Sequence, residues 1–298
     1  MISCQPIPMN LIKRLLFVLL TCLFVSAGSL AAQDAVPADD LWYTKKTDWH
    51  GHDQLHFRHA DADCYLIKPT KALPGNPWIW RVRFPGFHAE MDVELVGQGF
   101  HLAYMDVANQ FGCPNVIKRA ETFYDRLVSE HDLNRKVVLE GVSRGGLFVY
   151  NYAAMHPDHV AAIYCDTPVL DFNSWPRGKG PVGKYTGVGH SASWQQCLKV
   201  YGLTDAQAAT YDKLPIHHAA IIAKANIPVM HIVSENDRVV PPIENTYVLR
   251  DRLKDLGHEM KLIVVPEGTE KSNGHHFTHP EPNTVIQFIT THGQPSPK

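Results

Sequence analysis

A serine flanked by glycines stands where an apolar run of the sequence gives way to a helical pattern. Residues 136–140 are typical of a buried strand, and a G-x-S-x-G pattern from Gly141 to Gly145 follows directly, ahead of a helix-like stretch. A sharp turn between strand and helix exposes a serine hydroxyl at the sheet edge, and the helix N-terminus behind it favours developing negative charge. Because the five-residue pattern alone recurs by chance, its strand and helix context carries the interpretation. We predict that Ser143 is a nucleophile.

The stretch 139–150 resembles the nucleophile elbow of the α/β-hydrolase superfamily. Its surroundings, at residues 77–81 and 166–170, are similar to exported, carbohydrate-esterase-like hydrolases of polysaccharide-degrading bacteria. The resemblance covers nearly the whole chain after its N-terminal leader. It implies a serine, an acid and a histidine acting together in that chain order, with no cofactor, and it carries little information about the substrate.

The resemblance places the acid in a D-x-x-V-P turn after a late strand. Residues 229–233 are strand-like, and Asp237 occupies that position of the turn. A carboxylate there would orient the histidine and stabilise its imidazolium. Alternatively, Asp237 caps a helix that begins near Ile243, which is a common role for aspartate. Glu235 and Asp166 are the reserve candidates for the acid.

The loop after the strand-like residues 261–265 holds three histidines. The resemblance places the base directly after a glycine, which selects His275, and His276 and His279 stay open. His275 and His279 are four positions apart, a spacing that brings two metal ligands to one face only on a helix. Gly274 indicates a loop instead, so no metal is expected there. A second histidine group matches no metal motif and is expected on an opening hairpin; its members are His50, His52, His56 and His59.

An oxyanion needs two backbone N–H groups to stabilise it. The resemblance implies one from Arg144, next to the nucleophile, and another from the loop after the strand-like residues 78–84. Many relatives with esterase activity have His-Gly-Gly in that loop, where this sequence has Pro-Gly-Phe. Pro85 has no N–H to donate, so the second donor stays open among Phe84, Gly86 and Phe87.

The Arg144 side chain is a candidate for substrate binding. Its guanidinium is permanently charged and suits a carboxylate, and a Ser-Arg elbow is similar to that of glucuronoyl esterases, although the rest of their motif is absent. Alternatively, Arg144 pairs with a structural acid such as Glu140. Trp175 and His276 are further candidates for substrate contact. Other aromatic and basic residues between positions 171 and 218 either form a sugar-binding site or pack within a lid, and both interpretations stay open. They are Trp194, Arg177, Lys179 and Lys184.

Strand-like and helix-like runs alternate from about residue 62. The alternation, with strands that are apolar nearly throughout, favours βαβ units and a parallel sheet covered on both faces. We predict an α/β-hydrolase fold with a mostly parallel central sheet and a cap insertion over about residues 171–218, a stretch too long for a plain connection. Predicted strands are 64–67, 78–84, 100–107, 136–140, 160–165, 229–233 and 261–265. Predicted helices are 88–98, 115–131, 145–155, 243–256 and 282–290, with 194–201 and 205–212 in the cap.

The first 32 residues are interpreted as a signal peptide. Lys13 and Arg14 precede an apolar run over 15–25, and small residues follow at 27–32. The run has about half the length of a membrane-spanning helix. We therefore expect residues 33–298 to form a single, secreted or periplasmic domain that is not attached to a membrane.

The net charge limits the kinds of partner that the protein can bind. A net charge of −2 without a basic run excludes electrostatic binding of nucleic acid. After cleavage, four cysteines remain that allow three disulfide pairings or are buried thiols, namely Cys64, Cys113, Cys165 and Cys197.

These observations predict an exported serine ester hydrolase that works through an acyl-enzyme on a carbohydrate-linked or other small carboxylic ester. A serine peptidase of the oligopeptidase type is the alternative. It uses the same three residues, but such enzymes carry a large β-propeller, for which about 266 residues leave no room. A non-catalytic binding module on this fold is expected to lack one of the three.

Overall fold

The computed structural model describes residues 42–178 and 186–295. Within these ranges nine strands form one sheet in the order β1-β2-β3-β5-β4-β6-β7-β8-β9. The strands β1, β2, β3 and β5 pair antiparallel, whereas β5, β4 and β6 to β9 pair parallel. The mostly parallel sheet is confirmed. The strands are β1 (Lys45–Trp49), β2 (His52–His59), β3 (Ala62–Lys68), β4 (Trp78–Val82), β5 (His101–Met105), β6 (Val137–Val142), β7 (Val160–Asp166), β8 (Val229–Ser234) and β9 (Lys261–Val265).

Helices cover both faces of this sheet. In the described ranges they are α1 (Glu90–Gly97), α2 (Pro114–Glu130), α3 (Gly145–Met155), α4 (Ser191–Tyr201), α5 (Asp205–Ala209), α6 (Ala219–Lys224), α7 (Thr246–Asp255) and α8 (Pro282–Gly293). Ile79 packs in a core cluster with residues of α1 and α8. The next residue, Trp80, packs against Phe123 of α2 and Phe148 of α3. Successive side chains of a strand point to opposite faces, so β4 is apolar throughout because both of its faces are covered.

The central strands are buried along their whole length, which explains why their sequences do not alternate. Every residue of β4, β6 and β8 is buried. The edge strand β9 has exposed residues, including Val264. Parallel strands that are covered on both faces are expected to be apolar nearly throughout. The rigid centre of the sheet therefore lies directly behind the segments that carry the candidate chemistry.

Residues 167–228 connect β7 to β8 and contain the predicted cap region. The described part of this connection holds an irregular turn over Asn173–Arg177, the helices α4, α5 and α6, and a 3₁₀ turn at Pro215–His217. Trp194 donates a hydrogen bond to Asp205 over 2.8 Å, and Arg177 pairs with the same aspartate at 2.7 Å. Trp194 and Arg177 therefore stabilise the connection itself. Lys179 and Lys184 lie outside the described residues.

The N-terminal part of the described chain is the antiparallel hairpin of β1 and β2, which carries the histidine group singled out in the sequence. His56 contacts Thr47 at 2.7 Å and His59 contacts Thr122 at 2.9 Å. Across residues 42–178 and 186–295, no cluster of three or more histidines, cysteines or carboxylates is arranged to hold a metal ion. The four cysteines there are buried free thiols.

The predicted signal peptide, residues 1–32, lies outside the described residues. Among the helices of the described ranges, none has both the length and the apolar character needed to cross a bilayer.

Candidate active site

The predicted nucleophile, base and acid meet at one edge of the sheet. Ser143 follows β6, Asp237 follows β8 and His275 follows β9, so all three lie beyond the carboxyl ends of parallel strands, where open α/β sheets place their sites. The Ser143 Oγ is 3.0 Å from the His275 Nε2, and the His275 Nδ1 is 2.6 Å from the Asp237 Oδ2. With the carboxylate accepting from Nδ1–H, Nε2 is left to accept the serine proton. The geometry is that of a base-activated nucleophile.

The elbow geometry at Ser143 depends on a glycine two residues later. Ser143 adopts a φ of 51°, a left-handed conformation that is uncommon for residues other than glycine. A Cβ on Gly145 would lie 2.5 Å from the Val82 carbonyl oxygen. Only glycine lets β4 and the start of α3 come this close. The close approach of α3 to the end of β4 therefore helps to hold the serine turn at the sheet edge.

Asp237 uses both carboxylate oxygens in ways that position His275. Its Oδ1 accepts hydrogen bonds from the backbone N–H groups of Val239 and Val240 at 2.8 and 2.9 Å, while Oδ2 faces His275. The side chain is 1% exposed. It thus orders its own turn and does not cap the helix that follows. The reserve acids are occupied elsewhere, since Glu235 accepts from Tyr247 and Asp166 contacts His88.

Of the three histidines in the loop, the structure brings His275 to the serine. His279 Nδ1 accepts from the backbone N–H of Glu281 at 3.1 Å, and its Nε2 lies 3.2 Å from the Tyr164 hydroxyl. These two contacts hold His279 in a structural position. His276 lines the same cavity as Ser143, and burial, followed by the charge of His275, lowers its pKa. It is placed to contact a ligand.

Gly274 allows the His275 loop to pack against the Asp237 turn. It has a φ of 85°, and a Cβ there would lie 2.2 Å from the Asn236 carbonyl oxygen. A side chain at this position would push the two turns apart. The separation of His275 from Asp237 therefore depends on this glycine.

We expect Gly274→Ala to lower kcat by about 100-fold, because shifting a reacting group by about 1 Å has an effect of that size. Gly257→Ala is the matched control, since Gly257 also has a positive φ, of 72°, with no atom within 4 Å of the added Cβ. Gly257→Ala should lose the roughly 1–2 kcal/mol that a left-handed conformation costs a residue with a Cβ, and Gly274→Ala should lose more, because its Cβ also meets the Asn236 carbonyl. Thermal unfolding and steady-state rates measure the two effects. Equal activity in both variants would contradict the positioning role of Gly274.

The loop after β4 supplies the second candidate oxyanion donor. Arg83 and Phe84 have φ values of 65° and 44°, so the strand ends at Val82 instead of continuing to residue 84 as the sequence predicted. Phe87 N–H donates to the Phe84 carbonyl at 3.0 Å and closes the turn. Phe84 and Arg144 line the cavity beside Ser143, whereas Gly86 is not among the residues that line it. Phe84 is therefore the stronger candidate for the second donor, next to the Arg144 N–H.

Arg81, which the sequence interpretation missed as a functional residue, holds this loop through hydrogen bonds to its backbone. Arg81 is 1% exposed and donates to the carbonyl oxygens of Phe84, over 3.1 Å, and of Phe87. It also donates to Glu140 and lies 3.3 Å from Asp92. Burial raises the pKa of Glu140 well above its usual range, against the opposing charge of Arg81. An arginine inside an otherwise apolar strand was the signal in the sequence.

Ser143 opens into a cavity of about 240 Å³. The sequence-predicted candidates Arg144, Trp175 and His276 all line it. The remaining lining residues are mainly apolar and include the candidate nucleophile and base, namely Phe84, Phe87, Val142, Ser143, Thr167, Val239 and His275. The mouth of the cavity thus combines the reactive hydroxyl with aromatic rings and one cation.

The Arg144 guanidinium is held by aromatic rings and not by an acid. Its central carbon lies 5.5 Å from the ring centroids of Phe84 and Trp175 and 5.9 Å from that of Phe111. Its hydrogen bond is to the amide oxygen of Asn109, at 3.2 Å. Burial, and then the charge of Arg83, lowers its pKa. Since Glu140 binds Arg81, the predicted alternative pairing is absent, and Arg144 has no carboxylate partner in the described part of the chain.

Comparison with known proteins places these features in a family. A model of the prolyl oligopeptidase family, Peptidase_S9, matches residues 95–291. No curated protein matches the sequence. The uncomplexed acylaminoacyl peptidase of Pyrococcus horikoshii has 17% identity and a TM-score of 0.58 over 83% of this chain and 44% of its own. A puromycin-hydrolyzing peptidase of Mycobacterium tuberculosis has 17% identity and a TM-score of 0.59 over 80% of this chain and 39% of its own.

A protein of Lactobacillus plantarum described as a carboxylesterase has 15% identity and a TM-score of 0.53, over 84% of this chain and 96% of its own. At these identities the three structures show a shared fold. The chain spans less than half the length of the two peptidases and nearly the full length of the third structure.

Proposed function

The chain belongs to the prolyl oligopeptidase family of serine hydrolases, and from this premise we propose that its substrate is a small carboxylic ester with an anionic or oxygen-rich group beside the scissile bond. One observation carries the proposal. Ser143 shares its cavity with the Arg144 guanidinium, which has no carboxylate partner among the described residues. The family supports the hydrolytic chemistry, and this cation supports the substrate class.

The proposed reaction passes through an acyl-enzyme. The Ser143 hydroxyl attacks the ester carbonyl while His275 takes its proton, and Asp237 stabilises the imidazolium that forms. The backbone N–H groups of Arg144 and Phe84 are the proposed donors to the oxyanion. His275 then gives the proton to the leaving alcohol. Water, activated by the same histidine, releases the acid and restores the serine.

Arg144 is the proposed recognition residue because a guanidinium has five N–H donors and only one described hydrogen bond here. A carboxylate accepts two parallel bonds from such a group. The rings of Phe84 and Trp175, each with its centroid 5.5 Å from the central carbon, restrict where the guanidinium can lie. Trp175 also offers an apolar surface on which a sugar ring can stack, which supports a carbohydrate-linked ester. The cavity of about 240 Å³ fits a small group and not a long acyl chain.

Peptide hydrolysis is the second candidate, since two of the solved structures compared above are peptidases. The same three residues can cleave an amide, and Arg144 can bind a peptide carboxylate equally well. The carboxylesterase-like structure, which the chain matches over nearly its full length, favours the ester. We also propose export, on the signal-peptide pattern of residues 1–32.

A substrate screen tests the reaction class. Purified protein should hydrolyse short p-nitrophenyl esters, and among acetylated sugars, uronate methyl esters and peptide amides it should prefer an ester. Turnover of peptide amides at rates equal to those of the best ester would favour the peptidase. Absence of turnover on all of them, together with failure of Ser143 to react with a fluorophosphonate, would contradict a hydrolase.

We expect Arg144→Ala to raise KM for an anionic ester by roughly 10- to 100-fold, because a hydrogen bond to a charged group contributes about 1.5–3 kcal/mol. The neutral ester of the same alcohol should change much less. A suitable pair is p-nitrophenyl hydrogen succinate and p-nitrophenyl butyrate, compared by kcat/KM.

Arg250→Ala serves as the control, since Arg250 is a half-buried arginine of α7 that pairs with Asp251 and is not among the residues that line the cavity. It should leave both esters unaffected. If Arg144→Ala lowers kcat/KM equally on both esters, the recognition role fails and a generic esterase remains.

A further inference from the structure

His88 lies between the two loops that flank the cavity, and no step of the proposed reaction uses it. Its Nδ1 is 2.5 Å from the Asp166 Oδ2, at the end of β7, and its Nε2 is 2.8 Å from the Phe277 carbonyl oxygen. The side chains of His88 and Asp166 are 9% and 1% exposed. Phe277 follows His275 by two residues. The loop after β4, residues 83–89, is called the oxyanion loop because it holds the candidate donor Phe84. His88 therefore connects the oxyanion loop, the sheet and the loop that holds the proposed base.

Both ring nitrogens of His88 face hydrogen-bond acceptors. A carbonyl oxygen only accepts, and so does an ionised carboxylate. A neutral imidazole has a single N–H, so it would leave one nitrogen lone pair directed at an oxygen. With Asp166 ionised, both contacts form together only when the ring carries two protons.

We propose that His88 is a positioning residue whose imidazolium ties the His275 loop to Asp166 and thereby sets the distance between the base and the oxyanion loop. This inference rests on the proposed function, because it concerns the same reaction. Deprotonation of His88 releases one of the two contacts. Loss of the Nδ1 contact separates His88 from Asp166. Loss of the Nε2 contact separates the His275 loop from His88 and therefore from the oxyanion loop.

The groups around His88 decide in which pH range this link holds. Asp166 on β7 and Glu90 on α1 are acidic, whereas His276 and His279 face it from the His275 loop. Burial alone would lower the pKa of His88, but the hydrogen bond and charge of Asp166, with the Phe277 carbonyl, raise it above its ordinary value.

A raised pKa fixes the sign of the pH dependence. The link is fully present below the ordinary histidine pKa of about 6.5, and it is lost as the pH rises through the higher pKa of the folded protein. Activity should therefore decline at alkaline pH as His88 loses its proton.

His88→Asn is the sharpest test, since His88 has a φ of 52°, which asparagine tolerates. The asparagine amide can still donate to Asp166 but is too short to reach the Phe277 carbonyl. We expect the rate at which a fluorophosphonate labels Ser143 to fall by about 100-fold, as for other displaced reacting groups. The alkaline decline seen in the wild type should disappear. His50→Asn is the matched control, because His50 has a φ of 53° and is exposed.

The protonation of His88 is measured separately by long-range ¹H–¹⁵N NMR, in the wild type and in Ser143→Ala. We expect both ring nitrogens to carry a proton at pH 6, below the ordinary histidine pKa of about 6.5, with a titration midpoint that matches the alkaline decline in labelling. A neutral His88 at pH 6 overturns the inference, and so does a His88→Asn protein that is labelled like the wild type. If that variant does not fold, a mismatch of the two midpoints in the wild type overturns it. Failure of the wild-type serine to be labelled contradicts the proposed function instead, and leaves the NMR result for His88 standing.

Discussion

Replacing Ser143 with alanine is expected to reduce kcat by on the order of 10⁶-fold, the usual effect of removing a nucleophile. The melting temperature should change by no more than about 2–4 °C, because the half-buried hydroxyl makes one described hydrogen bond and such a bond contributes about 0.5–1.5 kcal/mol. The described hydrogen bond of the hydroxyl is to His275. The left-handed backbone conformation, with a φ of 51°, costs alanine as much free energy as it costs serine. Ester hydrolysis and thermal unfolding measure the two quantities.

Ser129→Ala provides the control for the Ser143 variant. Ser129 is an exposed serine of α2 whose hydroxyl bonds to the Asp125 carbonyl. It should keep full activity. A Ser143→Ala protein that retains more than a few per cent of the wild-type rate would show that another group is the nucleophile.

Replacing Asp237 with asparagine is expected to lower kcat by about 10⁴-fold with the fold intact. The asparagine oxygen can still accept from Val239 and Val240, so the turn is kept. Its NH₂ group would face the His275 Nδ1 and force that nitrogen to be an acceptor. The proton would then sit on Nε2, which could no longer take one from Ser143. The pH profile of kcat and thermal unfolding report the two effects.

Asp63→Asn is the matched control, since the Asp63 side chain is 81% exposed. A loss of less than about tenfold for Asp237→Asn would be too small for the removal of a catalytic acid. Such a result would indicate that Asp166 or Glu235, the reserve candidates, is the carboxylate that orients the histidine.

The sequence indicated the elbow because its pattern is local. A strand, the G-x-S-x-G glycines and a helix occur within about twenty consecutive residues around Ser143, although the close contact of Gly145 with Val82 appears only in the fold. Asp237 and His275 were identified through the turns that follow their strands, and the structure brings both to the serine. Parallel strands bring their carboxyl ends to the same edge, which explains why residues 132 positions apart in the chain meet there.

The support beneath the oxyanion loop could not be predicted, because it depends on strand register. Arg81 and Glu140 are 59 positions apart and become direct neighbours only when β4 pairs with β6. The contact of His88 with Asp166 likewise spans 78 positions. The end of β4 was also misplaced, since the apolar run continues to Phe84 while the backbone turns at Arg83. The six-residue helix α6 was missed because it is too short to show a clear periodicity.

The strand order has a consequence for the chain as it is being synthesised. From β6 to β9, neighbouring strands in the sheet are also consecutive in the chain. A growing polypeptide therefore contains Ser143 well before Asp237 and His275 have been made. Translation adds about 5–20 residues per second, and 132 positions separate Ser143 from His275. The proposed nucleophile is thus without its proposed base for several seconds, and the site is complete only after the last strand has been synthesised and has joined the sheet.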